Sequence, residues 1–306
     1  MASDLPLIDI GALGAGEDAP IPAEQAEAID RACRRFGFFR VTGHGVPPSR
    51  LAQLDGAARA FFAQPEEVKG RIAMRHGGPS WRGWFPLGGE LTDGRPDLKE
   101  GLYFGQELEA DHPAVVAGRP LHGPNLFPSE PAALRPAVLD WITAMTGLGA
   151  ALLRAMAVGL ARDPGWFAAT VTAEPTVLFR IFRYPPPPDT GQWGVAEHTD
   201  YGLLTILAQD EHGGLEVRGP DGWITVPADP DILVVNLGDM LERLTGGRYR
   251  STPHRVRNTS GAERLSFPTF IDPSWDAVCG PDGLTYGDYV TAKVARVFPD
   301  LRHHLA

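Results

Sequence analysis

The second half of the chain has the hydrophobic pattern of many short β-strands. From about residue 174 apolar residues recur at every second position, beginning with PTVLFRIFRY. The further strand-like runs are LLTILA (203–208), GLEVR (214–218), WITV (223–226), DILVVN (231–236) and RLSFPTFI (264–271). Turn signals such as Gly213-Gly214 and Pro220-Asp221-Gly222 separate them. Strands of this length and spacing predict a double-sheet antiparallel barrel or jelly roll.

The first half of the chain is predicted to place helices and loops around that core. Helices are expected over about 22–36, 49–64 and 131–161, and short strands at 5–10 and 38–41. Ser49 is a plausible N-cap for the second helix. Residues 77–130 are rich in Gly, Pro and Trp, and we expect them to form ordered loops over a site. The expected class is therefore α+β with a mainly β core.

Charge and cysteine content exclude several classes of partner. The net charge is −10, and the chain has no basic block, so a nucleic-acid partner is not expected. The two cysteines, Cys33 and Cys279, form no disulfide framework and no zinc-binding pair. The N-terminus lacks a signal-peptide pattern, and no apolar run approaches the length of a membrane span. We expect a cytoplasmic protein without a membrane partner; the pattern leaves the oligomeric state open.

Three residues have the chemistry of a metal site. In a strand, residues i and i+2 point to the same side, so His198 and Asp200 in AEHTDYG can converge on one ion. His254 in STPHRVRN begins another strand-like run and is the candidate third ligand. Two imidazoles and one carboxylate leave three positions of an octahedral ion open, which is the arrangement of non-haem Fe(II) oxygenases. His44 in GHGV is expected to satisfy a tight loop instead.

An arginine and a serine follow the third candidate ligand at strand spacing. Arg264 and Ser266 in ERLSFPTF share one face of a predicted strand. The guanidinium fork binds a carboxylate through two parallel hydrogen bonds. A dicarboxylic 2-oxo acid could therefore chelate iron at one end and pair with Arg264 at the other.

These motifs together resemble the iron/2-oxoglutarate-dependent dioxygenases of the isopenicillin N synthase-like superfamily. The resemblance rests on HTD (198–200), the PH of TPHRV (253–254) and RLS (264–266). It extends to GFFRVTGHGVP near the N-terminus and to RGWFPLGGE and DLKEGLYFG in the middle. It implies a double-stranded β-helix flanked by helices, with Fe(II) bound by His198, Asp200 and His254. It also implies that Arg264 and Ser266 bind the distal carboxylate of 2-oxoglutarate.

The same resemblance suggests two further contacts on the strand that ends at FRYPPPP. Tyr184 matches a tyrosine that often contacts cosubstrate or substrate. Arg180 resembles an arginine of the ethylene-forming branch and is interpreted as a carboxylate-facing or supporting residue of the cofactor site. Many relatives have Asn where this chain has Phe182, so no cosubstrate contact is assigned there.

The substrate pocket is expected to lie among aromatic side chains. Phe270 continues the face of Arg264, and Trp84 and Phe85 are candidates, with core or lid packing as the alternative. Arg82 is a candidate partner for an acidic group, although a surface salt bridge is the favoured interpretation. The segments expected to shape the pocket are 77–110, 185–196 and 272–290.

The predicted activity is oxidation of an unactivated C–H bond of a small molecule, with 2-oxoglutarate and O2 consumed and succinate and CO2 released. Hydroxylation, desaturation and ring formation all fit. The alternatives are an oxidase of the isopenicillin N synthase type that does not use 2-oxoglutarate, and ethylene-forming fragmentation of 2-oxoglutarate. A non-catalytic metal-binding jelly roll or a zinc hydrolase would need a fourth ligand or a general base, and neither is evident.

The resemblance also suggests how the chain is divided. The expected segments are an N-terminal region with helices and the middle loop (1–120), a long packing helix region (121–173), the Fe(II)/2-oxoglutarate core (174–275) and a C-terminal segment (276–306).

Overall fold

Two β-sheets of unequal size form the centre of the protein. The computed structural model describes residues 4–14, 19–92, 94–186, 192–280 and 282–298. The strands are β1 (Leu7–Asp9), β2 (Phe38–Thr42), β3 (Gly83–Phe85), β4 (Leu91–Thr92), β5 (Arg95–Pro96), β6 (Glu100–Gly105), β7 (Thr176–Tyr184), β8 (Val195–His198), β9 (Leu204–Gln209), β10 (Leu215–Gly219), β11 (Gly222–Thr225), β12 (Leu233–Leu237), β13 (His254–Val256) and β14 (Arg264–Asp272). The α-helices are α1 (Ala23–Arg35), α2 (Pro48–Phe62), α3 (Glu66–Lys69), α4 (Pro113–Val116), α5 (Leu134–Gly159), α6 (Trp166–Thr170), α7 (Asp239–Leu244) and α8 (Tyr286–Val297).

The order of the strands confirms the predicted double-stranded β-helix. The large sheet has the order β1-β2-β12-β9-β14-β7-β6-β3, and the small sheet has the order β11-β10-β13-β8. From β7 onward the chain passes repeatedly between the sheets: β7, β9, β12 and β14 lie in the large sheet, and β8, β10, β11 and β13 in the small one. Where the chain crosses from one sheet to the other, the side chains of the connecting residues can lie between the two sheets.

Strand β7 is buried on both faces because a helix covers one face of the large sheet and a cavity lies against the other. Side chains alternate along a strand. Val177, Phe179 and Ile181 are buried on the face toward α5, whereas Arg180 and Tyr184 are on the cavity face. The alternation read from the sequence is therefore correct, although both faces are covered.

Helix α5 is the longest helix described and packs on β7, β9 and β14 as well as on α1 and α2. A Cβ at Gly149 would lie 2.7 Å from the Ile271 side chain, so this glycine permits the helix to approach β14 closely. By length and composition alone α5 could cross a membrane. The expectation that no segment has this length was therefore wrong. In this fold, however, α5 is a packed core helix.

Two local predictions for the first half were also wrong. Residues 83–85 and 100–105, expected to lie in loops, form β3 and β6 at the edge of the large sheet beside β7. Both strands are short and buried on both faces, so neither has the alternation that identifies a strand in sequence. Ser49 is not an N-cap: α2 begins at Pro48, and the extended Pro47 precedes it, since proline fits the first helical position.

The strands of the N-terminal half join the same sheet as those of the second half. Strand β2 pairs with β12, and β6 pairs with β7. Segments 1–120 and 174–275 therefore share one sheet, and the proposed boundaries between them stay a prediction.

Candidate active site

Three candidate ligands converge where the chain crosses between the sheets. His198 is the last residue of β8, and His254, the first of β13, is its direct cross-strand partner. The Nε2 atoms of His198 and His254 lie 3.9 Å and 3.8 Å from Asp200 Oδ1. One ligand atom from each residue can be chosen so that all three lie within 4.8 Å of one another. The structure thus brings together the three residues predicted to bind a metal.

The reason for their convergence differs in part from the expected one. Strand β8 ends at His198, so Asp200 does not share a strand with it but lies in the connection to β9. The alternation of side chains along one strand therefore does not explain why His198 and Asp200 lie close together. The passage from the small to the large sheet turns Asp200 toward both histidines.

Backbone carbonyls orient both imidazoles. His198 Nδ1 lies 2.8 Å from the carbonyl oxygen of Ala196, and His254 Nδ1 lies 3.2 Å from that of Thr252. A carbonyl only accepts hydrogen bonds, so each Nδ1 carries the proton and donates it. Each Nε2 is then left with its lone pair directed at the centre, as metal coordination requires.

Two polar side chains hold the carboxylate. Thr205 Oγ1 donates to Asp200 Oδ2 at 2.5 Å, and Asn236 Nδ2 donates to the same oxygen at 2.7 Å. Thr205 and Asn236 are cross-strand partners on β9 and β12. They occupy one oxygen and leave Oδ1 for the metal. Neither residue was predicted from the sequence, although the Asn inside the apolar run DILVVN was a detectable signal.

Removing the threonine hydroxyl tests this support. Thr205→Val keeps the shape of the side chain, and we expect the Fe(II) affinity to fall about 10- to 100-fold because Asp200 loses an orienting donor. Anaerobic calorimetric titration with Fe(II) measures the change. Thr269→Val is the matched control, since the buried Thr269 hydroxyl has no partner within the described residues. Equal Fe(II) affinity in the two variants would contradict the assigned role of Thr205.

Burial sets the charge of the three ligands. It lowers the pKa of His254 to about 4, with the neighbouring His198 adding to the effect. Burial likewise lowers the pKa of His198. Burial opposes ionisation of Asp200, but the facing His254 and His198 rings and the two donors hold the pKa of its carboxyl below the usual value. At neutral pH the cluster is therefore two neutral imidazoles and one carboxylate, the forms that bind a divalent metal.

The second predicted pair, Arg264 and Ser266, lies on the cavity face of β14. Arg264 is 0% exposed. Its Nε donates to the carbonyl of His212 at 3.2 Å, and its Nη2 donates to Gln209 Oε1 at 3.1 Å. Its Nη1 is buried without a partner in the described part of the chain. A buried cation whose only partners are neutral fits an anionic ligand, and the free N–H with the Ser266 hydroxyl fits a carboxylate.

A single cavity of about 500 Å³ between the two sheets contains both groups. Tyr184, Arg180 and Phe270 line it, as predicted from the sequence. The guanidinium carbon of Arg264 lies 4.8 Å from the centroid of the Tyr184 ring, so this tyrosine packs at the arginine end. The cavity has the dimensions of a small-molecule site.

Two residues assigned to the pocket, Trp84 and Phe85, are placed differently from the expectation. Trp84 donates from Nε1 to Glu100 Oε2 at 2.9 Å, and Phe85 packs edge-on against Tyr103. Neither lines the cavity, because β3 is an edge strand and Tyr103 of β6 stands between it and the cavity. Arg82 lines the cavity, as assigned, but makes no salt bridge with any described residue, contrary to the favoured interpretation. It is buried and donates to the carbonyls of Phe104 and Leu121 at 3.0 Å and 2.7 Å.

The last described segment also forms part of the cavity wall. Val290, Lys293 and Val294 of α8 line the cavity, and Phe298 follows them. The predicted segment 272–290 reached only the beginning of this wall. Of the predicted segment 185–196, Val195 lines the cavity, and 187–191 lie outside the described residues. His44 binds no cluster member: its ring nitrogens contact the backbone of Val46 and Asp231, as expected for a loop histidine.

A buried carboxyl at the cavity predicts a pH-dependent stability. Burial raises the pKa of Asp272 to about 7, although the Tyr286 hydroxyl donates to its Oδ2 at 2.5 Å. When the pKa of an acid is higher in the folded than in the unfolded protein, the acid stabilises the fold at pH values below its pKa in the unfolded protein. This stability is lost as the pH rises towards its pKa in the folded protein. Asp272→Asn should therefore gain stability relative to the parent between about pH 4 and 7, reaching about 4 kcal/mol above pH 7.

Chemical denaturation of the metal-free protein at several pH values measures this difference. Tyr286→Phe is the companion variant: without the donated hydrogen bond the pKa of Asp272 rises further, so the loss of stability should extend to higher pH. A difference between Asp272→Asn and the parent that does not change with pH would refute the assignment.

Comparison with known proteins gives consistent matches along the chain. The family described as non-haem dioxygenase in morphine synthesis N-terminal matches residues 5–130, and the 2OG-Fe(II) oxygenase superfamily matches residues 175–273. A probable iron/ascorbate oxidoreductase of Dictyostelium discoideum is 38% identical over 98% of this chain and 96% of its own length. A 1-aminocyclopropane-1-carboxylate oxidase of Dictyostelium mucoroides is 31% identical over 97% of this chain and 95% of its own length.

Among solved structures, a full-length Neurospora crassa protein in complex with α-ketoglutarate is similar to this chain. It has a TM-score of 0.80 and 26% sequence identity, and the match covers 95% of each chain. The likeness therefore covers both sheets and the flanking helices.

Proposed function

The chain belongs to the 2OG-Fe(II) oxygenase superfamily and is an Fe(II)- and 2-oxoglutarate-dependent oxidoreductase, and from this premise we propose that it hydroxylates an unactivated C–H bond of a small molecule. The reaction consumes 2-oxoglutarate and O2 and releases succinate and CO2. One oxygen atom of O2 enters the product and the other enters succinate. Desaturation or ring closure at the same carbon is a variant of this chemistry.

One observation carries the proposal: two complementary sites share one cavity. The Nε2 atoms of the histidines and Asp200 Oδ1 point to a common centre. The buried Arg264 with its unpartnered Nη1 lies in the wall of the same cavity. A diacid that chelates the metal through its 2-oxo acid end matches this pair of sites.

The residues have separate roles in this reaction. Fe(II), when bound, supplies the redox chemistry with O2 that no side chain provides. His198, Asp200 and His254 would hold the metal, and three protein ligands would leave coordination positions for the cosubstrate and O2. Arg264 and Ser266 orient the cosubstrate through its distal carboxylate. The buried walls of the cavity exclude water from the reacting carbon.

Succinate formation tests the proposal. Purified protein with Fe(II), 2-oxoglutarate and air should form succinate, and His198→Ala should not. His44→Ala is the matched histidine control, because its ring contacts only backbone groups, and it should retain the parental rate. Anaerobic binding of 2-oxoglutarate to the Fe(II) protein is measured alongside. No binding would favour an oxidase that does not use the cosubstrate, and equal succinate from His198→Ala would refute the assigned site.

We further propose a cytoplasmic location. Cys33 and Cys279 are both buried as free thiols, which suits a reducing compartment. Fractionation of the native host, with immunodetection of the protein, tests this location; recovery from an extracellular or membrane fraction would contradict it.

A further inference from the structure

The charge of the cavity is opposite in sign to that of the chain. Of the described residues that line the cavity, six are Lys or Arg and four are Asp or Glu. In the whole chain, 28 Lys and Arg face 38 Asp and Glu. A bound divalent metal would add positive charge to the same space. An enclosed site with this balance favours anionic ligands.

Arg180 is a largely buried cavity cation without a hydrogen bond to any described residue. It lies on the cavity face of β7, and within the described residues none of its N–H groups makes a hydrogen bond. Its closest carboxylate oxygen is Glu90 Oε1, 3.8 Å from Nη1, which is beyond hydrogen-bond distance. Glu90 has other partners, since Lys99 Nζ lies 2.9 Å from its Oε2 and the Tyr103 hydroxyl donates to its Oε1. Among the described residues, Arg180 therefore shares its one nearby carboxylate, that of Glu90, with Lys99 and Tyr103.

Two aromatic rings fix the position of this guanidinium. Its Cζ lies 4.2 Å from the centroid of the Tyr103 ring and 4.6 Å from that of the Phe270 ring. The rings hold the cation in place and occupy two of its sides. The Arg180 side chain is nevertheless 19% exposed. Because Arg180 lines the cavity, this exposed part faces the cavity. A guanidinium held in this way presents its N–H edge for in-plane, two-pronged binding of a carboxylate.

Arg180 and Arg264 leave the sheet at different positions along it. Tyr184 is the cross-strand partner of Arg264, and Arg180 lies four residues earlier on the same strand. Four residues of strand correspond to about 13 Å. A five-carbon diacid that bridged the metal and Arg264 would have both of its carboxylates engaged by those two groups. A second anion would supply the hydrogen-bond acceptors that Arg180 lacks among the described residues.

Apolar side chains form part of the cavity wall contributed by α8 and the residue after it. Val290 and Val294 of α8 line this cavity, and the Phe298 ring lies 5.4 Å from the Tyr103 ring that contacts Arg180. Resting on the proposed function, we propose that the substrate is a carboxylic acid with an apolar body, whose carboxylate binds the N–H edge of Arg180. This assigns Arg180 to the substrate, whereas the sequence analysis placed it with the cofactor.

Anaerobic calorimetry with matched acid and amide pairs tests the proposal. The probes are hexanoate, phenylacetate and 1-naphthylacetate with their primary amides, titrated into the Fe(II) protein saturated with 2-oxoglutarate. We expect at least one acid to bind about 10-fold or more tightly than its amide, since a charge-assisted pair is lost in the amide. Arg180→Met should reduce this preference to less than about threefold, and Arg180→Lys should keep only part of it. Arg31→Met, an exposed position on α1, is the control and should keep the full preference.

The outcomes separate this proposal from the proposed function. 2-Oxoglutarate is titrated first into the Fe(II) form of every variant, which also shows that each variant is folded. Failure of the parent to bind 2-oxoglutarate would overturn both proposals. Normal 2-oxoglutarate binding with no acid bound, or with acids and amides bound equally by the parent, would overturn the carboxylate proposal alone. So would a full acid preference in a folded Arg180→Met.

Discussion

Asp200→Asn is expected to abolish turnover, with Fe(II) affinity reduced by about 1,000-fold or more. The carboxylate is the only anionic ligand of the cluster, and the amide that replaces it is a much weaker ligand for a divalent ion. The substitution keeps the size of the side chain and one acceptor for Thr205 and Asn236. The loss should therefore be one of metal binding rather than of folding. Iron content, anaerobic Fe(II) titration and succinate formation measure it.

An exposed aspartate provides the matched control for this result. Asp229→Asn changes a turn carboxylate that accepts a hydrogen bond from the Asp231 backbone, and it should leave Fe(II) affinity at the parental value. Circular dichroism and thermal unfolding of the metal-free proteins check that both variants fold. Stoichiometric iron and substantial turnover in Asp200→Asn would remove Asp200 from the metal site.

Arg264→Lys is expected to raise the KM for 2-oxoglutarate by about 10- to 100-fold, with a smaller change in kcat at saturation. The lysine keeps the charge, but a point charge does not reproduce the planar fork that meets a carboxylate with two bonds. It also gives up at least one of the bonds to the His212 carbonyl and Gln209 that orient Arg264. Initial rates of succinate formation over a range of 2-oxoglutarate concentrations separate KM from kcat.

The effect on binding can be checked without turnover. Anaerobic calorimetry should show a weaker 2-oxoglutarate complex for Arg264→Lys and unchanged Fe(II) affinity. Arg135→Lys, on the exposed side of α5, is the matched control and should behave as the parent. A KM for Arg264→Lys equal to that of the parent would exclude Arg264 from the cosubstrate site.

The metal cluster shows which part of a site can be found from sequence. His198, Asp200 and His254 were found because their residue types are unusual beside apolar strands, and their chemistry is independent of the fold. Their geometry was predicted less well. His198 and His254 are cross-strand partners, and this register depends on the pairing of β8 with β13. No pattern within either segment contains that information.

The residues that hydrogen-bond to Asp200 show which part of a site cannot be found from sequence. Thr205 and Asn236 were not found, because a threonine or an asparagine has no metal chemistry of its own and becomes important only through its contact with Asp200. Trp84 was assigned to the pocket on its residue type, yet its indole donates to Glu100 behind the cavity wall. Residue type identifies candidates, but position decides between core and cavity.

The sequence established where most of the core strands lie and which side chains each of them presents together on one face. Arg264 and Ser266 illustrate this, since alternation along a strand is a local property of the backbone. The tertiary structure decided which faces meet: that β7 shows Arg180 to the cavity, that Asp200 crosses between the sheets, and that α8 forms a wall. The physical reason is that periodicity records neighbours along the chain, whereas the cavity is made by contacts between segments far apart in it, whose register and packing are set by the whole fold.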